Sequence, residues 1–296
     1  MIKKIKYFID YFRYLKNPVS CLLLKFGFRT TAKVKLKNSN ETIEMNNVSL
    51  LNKLMQLLPY NDLYDLGELA SFFNGLSSSK KVIPWGRANI LNFMVETDMD
   101  GIPFFEYFLP GYYTAANIDY NNRCVIDVGS FVGDTAVLFA SRGAEVYGFE
   151  PVKKNYDYSI QIKEINPKLQ NKLHFFNLGV SDKPGKITIE SMNSTDTFRD
   201  ANDFYEVEII TIDKILDENK IKPDILKMDC EGCEFNIILN SDLSNFKDII
   251  FEHHAGNTGK DYNLLINKLI DEGFKIEKIP IVGYEFEVVG LIHAYK

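Results

Sequence analysis

The chain has 296 residues, with 34 Lys and Arg against 40 Asp and Glu, and 46% of its residues are apolar. That balance is close to the globular average, and it excludes a disordered chain, a collagen and a disulfide scaffold. The net charge of −6 argues against nucleic acid as the main partner, because neutralising phosphates requires a surplus of Lys and Arg.

The first predicted element is a helix. Ile2, Ile5, Ile9, Phe12 and Leu15 recur at steps of three and four, which is helical spacing. Residues 1–37 also hold ten basic residues and a single acid, Asp10. Two readings stay open. The stripe packs onto its own domain, as amphipathic helices usually do, or residues 1–35 contact an anionic membrane surface. Asp10, Arg13 and Lys16 interrupt any apolar run of the kind a secretory leader needs. No run of 18 apolar residues exists to span a bilayer. The expected setting is therefore cytoplasmic, with a peripheral contact on the inner membrane face as the second option. The four cysteines, Cys21, Cys124, Cys230 and Cys233, are expected to be reduced there.

Next come two helix-like stretches, NNVSLLNKLMQLLP, stopped by Pro59, and YNDLYDLGELASFFNGL. SSSKK (77–81) reads as a polar linker. The aromatic cluster FFEYFLPGYY (104–113) either packs on the main sheet or forms a lid over a ligand pocket. Strict strand alternation is scarce before residue 120. Residues 1–120 are accordingly read as a mainly helical accessory region, and residues 121–296 as the main domain.

From Cys124 the pattern becomes strand, turn, helix, repeated. CVIDVG, VYGFE, LHFFNLGV, ILKMD and DIIFEHH are apolar strands. DTAVLFASRG is a helix that Asp134 can cap and Gly143 can end. Pro151 is expected at the start of the next helix, where its missing N–H costs nothing. KITIE and EVEIITI read as a side hairpin. FKIEKIPIV and GLIHAY, joined by a turn near Gly283, read as an antiparallel pair at the sheet edge. Such alternation implies an α/β fold, a mostly parallel sheet covered on both faces.

In such sheets the ligand lies at the carboxyl ends of the strands. VIDVGSFVGD (125–134) holds Asp127, Gly129 and Gly133, and Glu150 follows at the end of the second strand. A carboxylate at that place can accept both hydroxyls of a ribose. A dinucleotide needs G-x-G-x-x-G so that its pyrophosphate can lie on bare backbone. Here the second and third positions are Phe131 and Asp134, one an obstruction and the other a repulsion. With Asp127 nearby, the acid-rimmed loop suits a cationic ligand. S-adenosylmethionine is such a ligand: a sulfonium and a ribose, without phosphate.

At this point the sequence resembles a known family. VIDVGSFVGDTAVLFASRGAEVYGFEP is similar to the first two motifs of class I methyltransferases. ILKMDCEGCEFNIIL resembles the K-x-D-x-E-G-x-E run of the FkbM-type methyltransferases, and FFNLGVSDKPGKITI and TIDKILDE resemble that family's third-strand and pre-fourth-strand segments. The resemblance covers about residues 121–296. It implies a Rossmann-like seven-stranded sheet with one reversed strand, and S-adenosylmethionine as methyl donor. By position it implies Asp127, Gly129, Ser130, Phe131, Gly133, Asp134 and Thr135 in the methionine-side loop, and Glu150 on the ribose. It also implies Asn177, Leu178 and Gly179 at the adenine edge, and Asp229 facing the sulfonium and the acceptor. Cys230 and Cys233 stand where the family more often has small apolar residues, a size-conserving difference.

A hydroxyl acceptor is a poor nucleophile, so a base or a metal should assist. Asp229, Glu231, Glu234, Glu252, His253 and His254 are the candidates, since two neighbouring strands end on them. Glu231 and Glu234 equally suit the dipole of the helix they open. His253 and His254 should point to opposite faces of a strand, so at most one meets the acceptor, and either is otherwise a structural histidine. Asp229, Glu231 and a histidine would also suit a divalent ion, although no residue is assigned to a metal. Cys230-x-x-Cys233 lacks the second half of a zinc site. The polar loop 191–204 holds the acceptor or is plain surface.

The leading expectation is a methyltransferase acting on oxygen, with a small-molecule, glycan or glycolipid acceptor and no nucleic-acid partner. An NAD-dependent oxidoreductase and a non-catalytic cofactor-binding module are the alternatives.

Overall fold

A computed structural model describes residues 2–46, 48–58, 66–77, 82–85, 91–94, 116–190, 204–281 and 285–296. The chain divides into two compact units, Met1–Thr97 and Asp98–Lys296. The aromatic cluster 104–113, most of the polar loop 191–204 and the turn at Gly283 lie outside the described residues.

The first unit opens with helices α1 (Ile2–Tyr14) and α2 (Pro18–Lys25). Pro18 occupies the first turn of α2, where a helix has no use for its N–H. Strands β1 (Ala32–Lys35) and β2 (Thr42–Met45) pair antiparallel. They alternate strictly, with Val34, Ile43 and Met45 buried and Lys33 and Glu44 exposed. Helices α3 (Val48–Leu57) and α4 (Leu66–Ser77) and the pair β3 (Val82–Trp85) and β4 (Leu91–Met94) complete the unit. The two strand pairs add to the helices read from the sequence. The expected stripe divides: Ile9 and Phe12 of α1 face solvent and Asp10 is buried, whereas Leu15 falls past the helix end, buried, in a bridge to Leu36.

The second unit is built on seven strands: β5 (Cys124–Val128), β6 (Glu145–Phe149), β7 (Leu173–Phe176), β11 (Ile225–Met228), β12 (Asp248–His253), β13 (Lys275–Ile279) and β14 (Gly290–Tyr295). Their order is β13-β14-β12-β11-β5-β6-β7. Only β14 in this sheet runs against its neighbours. The sheet is thus Rossmann-like, with one reversed strand, and the last two strands pair antiparallel as expected. The central strands are almost wholly buried, because helices cover both faces of a parallel sheet. These helices are α5 (Asp134–Ser141), α6 (Lys153–Ile165), α7 (Ile212–Asn219), α8 (Cys233–Asn240), α9 (Ala255–Thr258) and α10 (Asn263–Asp271).

Four expectations are corrected. LHFFNLGV is not one strand: β7 stops at Phe176, and Gly179–Val180 form β8, which pairs with β10 (Phe204–Ile210). β10 also pairs with β9 (Gly185–Glu190), so the side hairpin is a three-stranded sheet. The break follows from Asn177, whose side-chain amide donates to the carbonyls of Glu150 and Pro151 and turns the chain there. Asp134 does not cap α5; Gly133, in the left-handed region, holds that place. Pro151 precedes α6 by two residues rather than opening it.

From β5 the chain moves outward through β6 and β7, then crosses back to β11 and β12. The crevice between the carboxyl ends of β5 and β11 is therefore the topological switch point. One buried ion pair spans it. Lys227 lies opposite Asp127 in the ladder, and its Nζ is 2.9 Å from Asp127 Oδ1. The same ammonium donates to the carbonyl of Gly129 at 2.8 Å, and Thr135 Oγ1 donates to Asp127 Oδ2 at 3.1 Å. Burial pushes the Asp127 carboxyl above its ordinary value, and Lys227 is the main opposing influence. Lys227→Met strands a carboxylate in the core and is expected to cost about 3–5 kcal/mol in urea unfolding. The double variant with Asp127→Leu should recover most of that loss, because apolar residues replace a buried pair without leaving a charge behind.

Candidate active site

The loop after β5 holds three left-handed residues, Gly129 (φ +72°), Phe131 (φ +47°) and Gly133 (φ +82°). Gly129 admits no side chain: a Cβ there would lie 1.8 Å from the carbonyl oxygen of Asp229 at the tip of β11. The two strand tips thus meet backbone to backbone. Phe131 has no such steric excuse, and its strained conformation aims its N–H at Glu150 Oε2, 3.0 Å away.

Glu150, buried just beyond β6, gathers three donors. The N–H of Val152 reaches Oε1 at 2.8 Å, and Asn155 Nδ2 reaches it at 3.4 Å, in addition to Phe131. Burial still lifts its pKa to about 7, the donors opposing. Ser130, Asp134 and Thr135 are buried around the loop, and Ser130 Oγ has no protein partner among the described residues. Thr135 is committed to Asp127, and Asn177 to the turn after Glu150. Leu178 packs against the sheet core, and Gly179 lies against Ile209 in the side sheet.

A second group forms on the other side of β5. Asp229 follows β11, and its N–H donates to the carbonyl of Val128 at 3.0 Å. His254, buried just past β12, aims Nε2 at three carboxylates: Glu231 at 3.5 Å, Glu252 at 3.6 Å and Asp229 at 3.9 Å. Glu231 is outside helix α8, contrary to its expected place in the first turn. It is held at φ +55° immediately before Gly232, which caps the helix. Glu234 does lie in that first turn, buried, and accepts from the N–H of Gly232 at 2.9 Å. Burial raises Glu234. Burial and repulsion from Asp229 and Glu231 push Glu252 up to about 9.

His253 does not join this group. It stacks on Tyr262 at 4.3 Å and meets Phe286 edge-on at 5.0 Å, and burial lowers its pKa to about 4. It is a neutral core side chain. Cys230 and Cys233 are joined in a disulfide, contrary to the expectation of reduced thiols. Both sulfurs are thereby used up as metal ligands. The remaining candidate set, Asp229, Glu231 and His254, offers ligand atoms all within 4.8 Å of one another. Two carboxylates and an imidazole are a suitable donor set for a divalent cation; they are equally a proton-accepting cluster.

Lys227 joins the site from within β11, although it is not among the residues expected there. Its signal was a lone cation inside the apolar strand ILKM, which burial tolerates only with an opposite charge close by.

A family model described as "Methyltransferase FkbM domain" matches residues 127–276, from Asp127 in β5 to Ile276 in β13. The chain belongs to the FkbM methyltransferase family. No protein of curated function matches it. Among solved structures, this FkbM-family chain is similar to methyltransferase FkbM from Methylobacillus flagellatus, with 11% identity and a TM-score of 0.46. That match covers 84% of this chain but 55% of the other, so the chain spans little more than half of its relative's length. Magnesium protoporphyrin IX methyltransferase from Synechocystis, solved with bound SAM, is 15% identical at a TM-score of 0.38, over 67% of this chain and 77% of that one. Precorrin-6y C5,15-methyltransferase from Geobacter metallireducens is 11% identical at a TM-score of 0.37, over 62% and 84%.

The Glu252 carboxyl holds its proton up to about pH 9 in the folded chain, but only to its ordinary 4.5 when unfolded. The folded state therefore binds the extra proton between those values, and stability is lost as pH rises across that window. Glu252→Gln cannot suffer this loss. Its melting temperature should exceed that of the unmodified chain by a margin that widens from pH 5 to pH 9, reaching at least about 2–4 °C.

Proposed function

We propose that this chain transfers a methyl group from S-adenosylmethionine to a hydroxyl oxygen of a glycan, a glycolipid precursor or a related secondary metabolite. The observation that carries this reading is the arrangement about β5. A hydroxyl-accepting acid, Glu150, stands on one side, and the cluster of Asp229, Glu231, Glu252 and His254 stands on the other. The residues named all fall within 121–296, to which we assign the reaction; residues 1–120 are given the accessory role.

The loop fits the cofactor. A carboxylate has about four acceptor sites; Val152 and Asn155 occupy Oε1 and Phe131 takes one site on Oε2, which leaves Oε2 a site for a ribose hydroxyl. Ser130 Oγ is a buried polar atom still short of a partner. Asp134 sits in the first turn of α5, where a pyrophosphate would need the helix N-terminus free of negative charge. That disfavours a nicotinamide dinucleotide. Asp127 and Thr135 hold the loop from behind, and Asn177, Leu178 and Gly179 are assigned to the adenine edge. When bound, the cofactor supplies a methyl group on a positively charged sulfur.

The chain's own contribution is positioning and proton transfer. Asp229, at the tip nearest Gly129, orients the acceptor. His254 Nε2 takes the hydroxyl proton, and an imidazole that has done so faces the carboxylates of Asp229 and Glu231. Glu252, already protonated near neutrality, is not the base. A second reading is favoured by the close set of Asp229, Glu231 and His254: a divalent cation there would activate the hydroxyl, and His254 would be its ligand. EDTA treatment separates the two, abolishing turnover only in the second.

Calorimetric titration with S-adenosylhomocysteine is expected to show binding that Glu150→Ala weakens at least about tenfold. Binding should strengthen from pH 6 to pH 8 as Glu150 ionises. Tight NADH binding with no response to S-adenosylhomocysteine would overturn the reading. With an acceptor found by mass spectrometry of methylated glycans and glycolipids, His254→Ala should lower kcat by about 10²–10⁴ with the affinity for S-adenosylhomocysteine unchanged.

A further inference from the structure

The apolar stripe of α1 faces away from its own unit. Phe8, Ile9 and Phe12 are 45–55% exposed, while Asp10 and Tyr11 of the same helix are buried. The rings of Phe8 and Phe12 lie 5.6 Å apart and form one apolar surface. In the sequence Ile2 and Ile5 continue the same spacing. The following helix repeats the pattern. Cys21, Leu22 and Leu24 of α2 are buried, while Val19, seven residues before Phe26, is 62% exposed. Phe26 caps α2, and Phe28 follows Gly27; they are 60% and 76% exposed. Elsewhere in the described residues exposed large apolar side chains are scattered; here six fall within 21 residues. Exposed apolar clusters of this kind mark contact surfaces.

The charge around them selects the partner. Residues 1–37 carry ten Lys and Arg and one acid, and that acid, Asp10, is the buried one. Arg13, Lys16, Arg29, Lys33, Lys35 and Lys37 are exposed, so the surface of this stretch is cationic and apolar together. A nucleic acid would satisfy the cations but leave the aliphatic and aromatic side chains in water. A second copy of the chain would bring the same cations face to face. An anionic bilayer satisfies both, with apolar side chains entering the acyl boundary and Lys and Arg at the headgroups.

We propose that α1 and α2 form a docking surface for anionic lipid bilayers, with Phe8, Ile9, Phe12, Val19, Phe26 and Phe28 as the inserting side chains. The inference is independent of the methyl-transfer reading, since its readout is binding and requires neither cofactor nor acceptor.

The test is flotation of the full chain with vesicles of phosphatidylcholine alone, or of phosphatidylcholine mixed with phosphatidylglycerol. Flotation with the mixed vesicles only, weakened by raised salt, is expected. The exposed-site variants Phe8→Ser/Phe12→Ser and Phe26→Ser/Phe28→Ser should each reduce it at least about tenfold, with melting temperatures unchanged. Equal flotation of either variant, equal flotation with both vesicles, or no flotation would overturn the proposal. So would binding of a single-stranded RNA oligomer without flotation, or a dimer on size exclusion that the variants abolish without flotation.

Discussion

The second unit is organised by one charge placed where charge is expensive. Lys227 lies inside a fully buried strand and is tolerated because the ladder register sets it against Asp127. The pair does more than cancel. Its ammonium also holds the carbonyl of Gly129, which fixes the point at which the chain leaves β5. With that carbonyl held, the loop takes its left-handed course, the N–H of Phe131 reaches Glu150, and the tips of β5 and β11 touch. A buried pair of this kind is weak evidence for stability and better evidence for a defined geometry. Here the geometry is that of the crevice.

The carboxyl groups around that crevice illustrate how surroundings divide like residues. Glu150 is buried but met by backbone and amide donors, and its pKa stays near neutrality. Glu252 is buried among other acids and keeps its proton well above neutrality. The two histidines divide in the same way. His253 is enclosed by aromatic rings and neutral, and His254 looks onto carboxylates. Adjacent residues leaving a strand in opposite directions account for that contrast.

The fold of residues 121–296 was legible because parallel strands are apolar runs cut off by glycine, and helices between them have their own period. The reversed strand and the edge pair followed from family resemblance and pattern together. What escaped notice has physical causes. β1 and β2 alternate cleanly, but four residues each are too few to stand out. LHFFNLGV carries apolar residues on both sides of Asn177, so its period does not mark the turn that the Asn177 amide imposes. Periodicity located the stripe of α1 without saying on which side the rest of the unit lay. In the candidate site, the residues at strand tips could be named because each tip is a place in the sequence. The pairing of Lys227 with Asp127 and the Cys230–Cys233 bond depend on register and loop path, which no single segment encodes.

The reversed strand has a consequence for biosynthesis. β14 lies between β12 and β13, yet it leaves the ribosome after both. Until residues 290–295 emerge, β12 has an open edge of unpaired amides beside an apolar face, and β13 has no ladder to join. The nascent sheet can assemble from β7 to β12 and must then wait. During that interval the bare edge of β12 is a template for wrong pairing, which makes the wait for residues 290–295 the point at which this sheet is most exposed to aggregation.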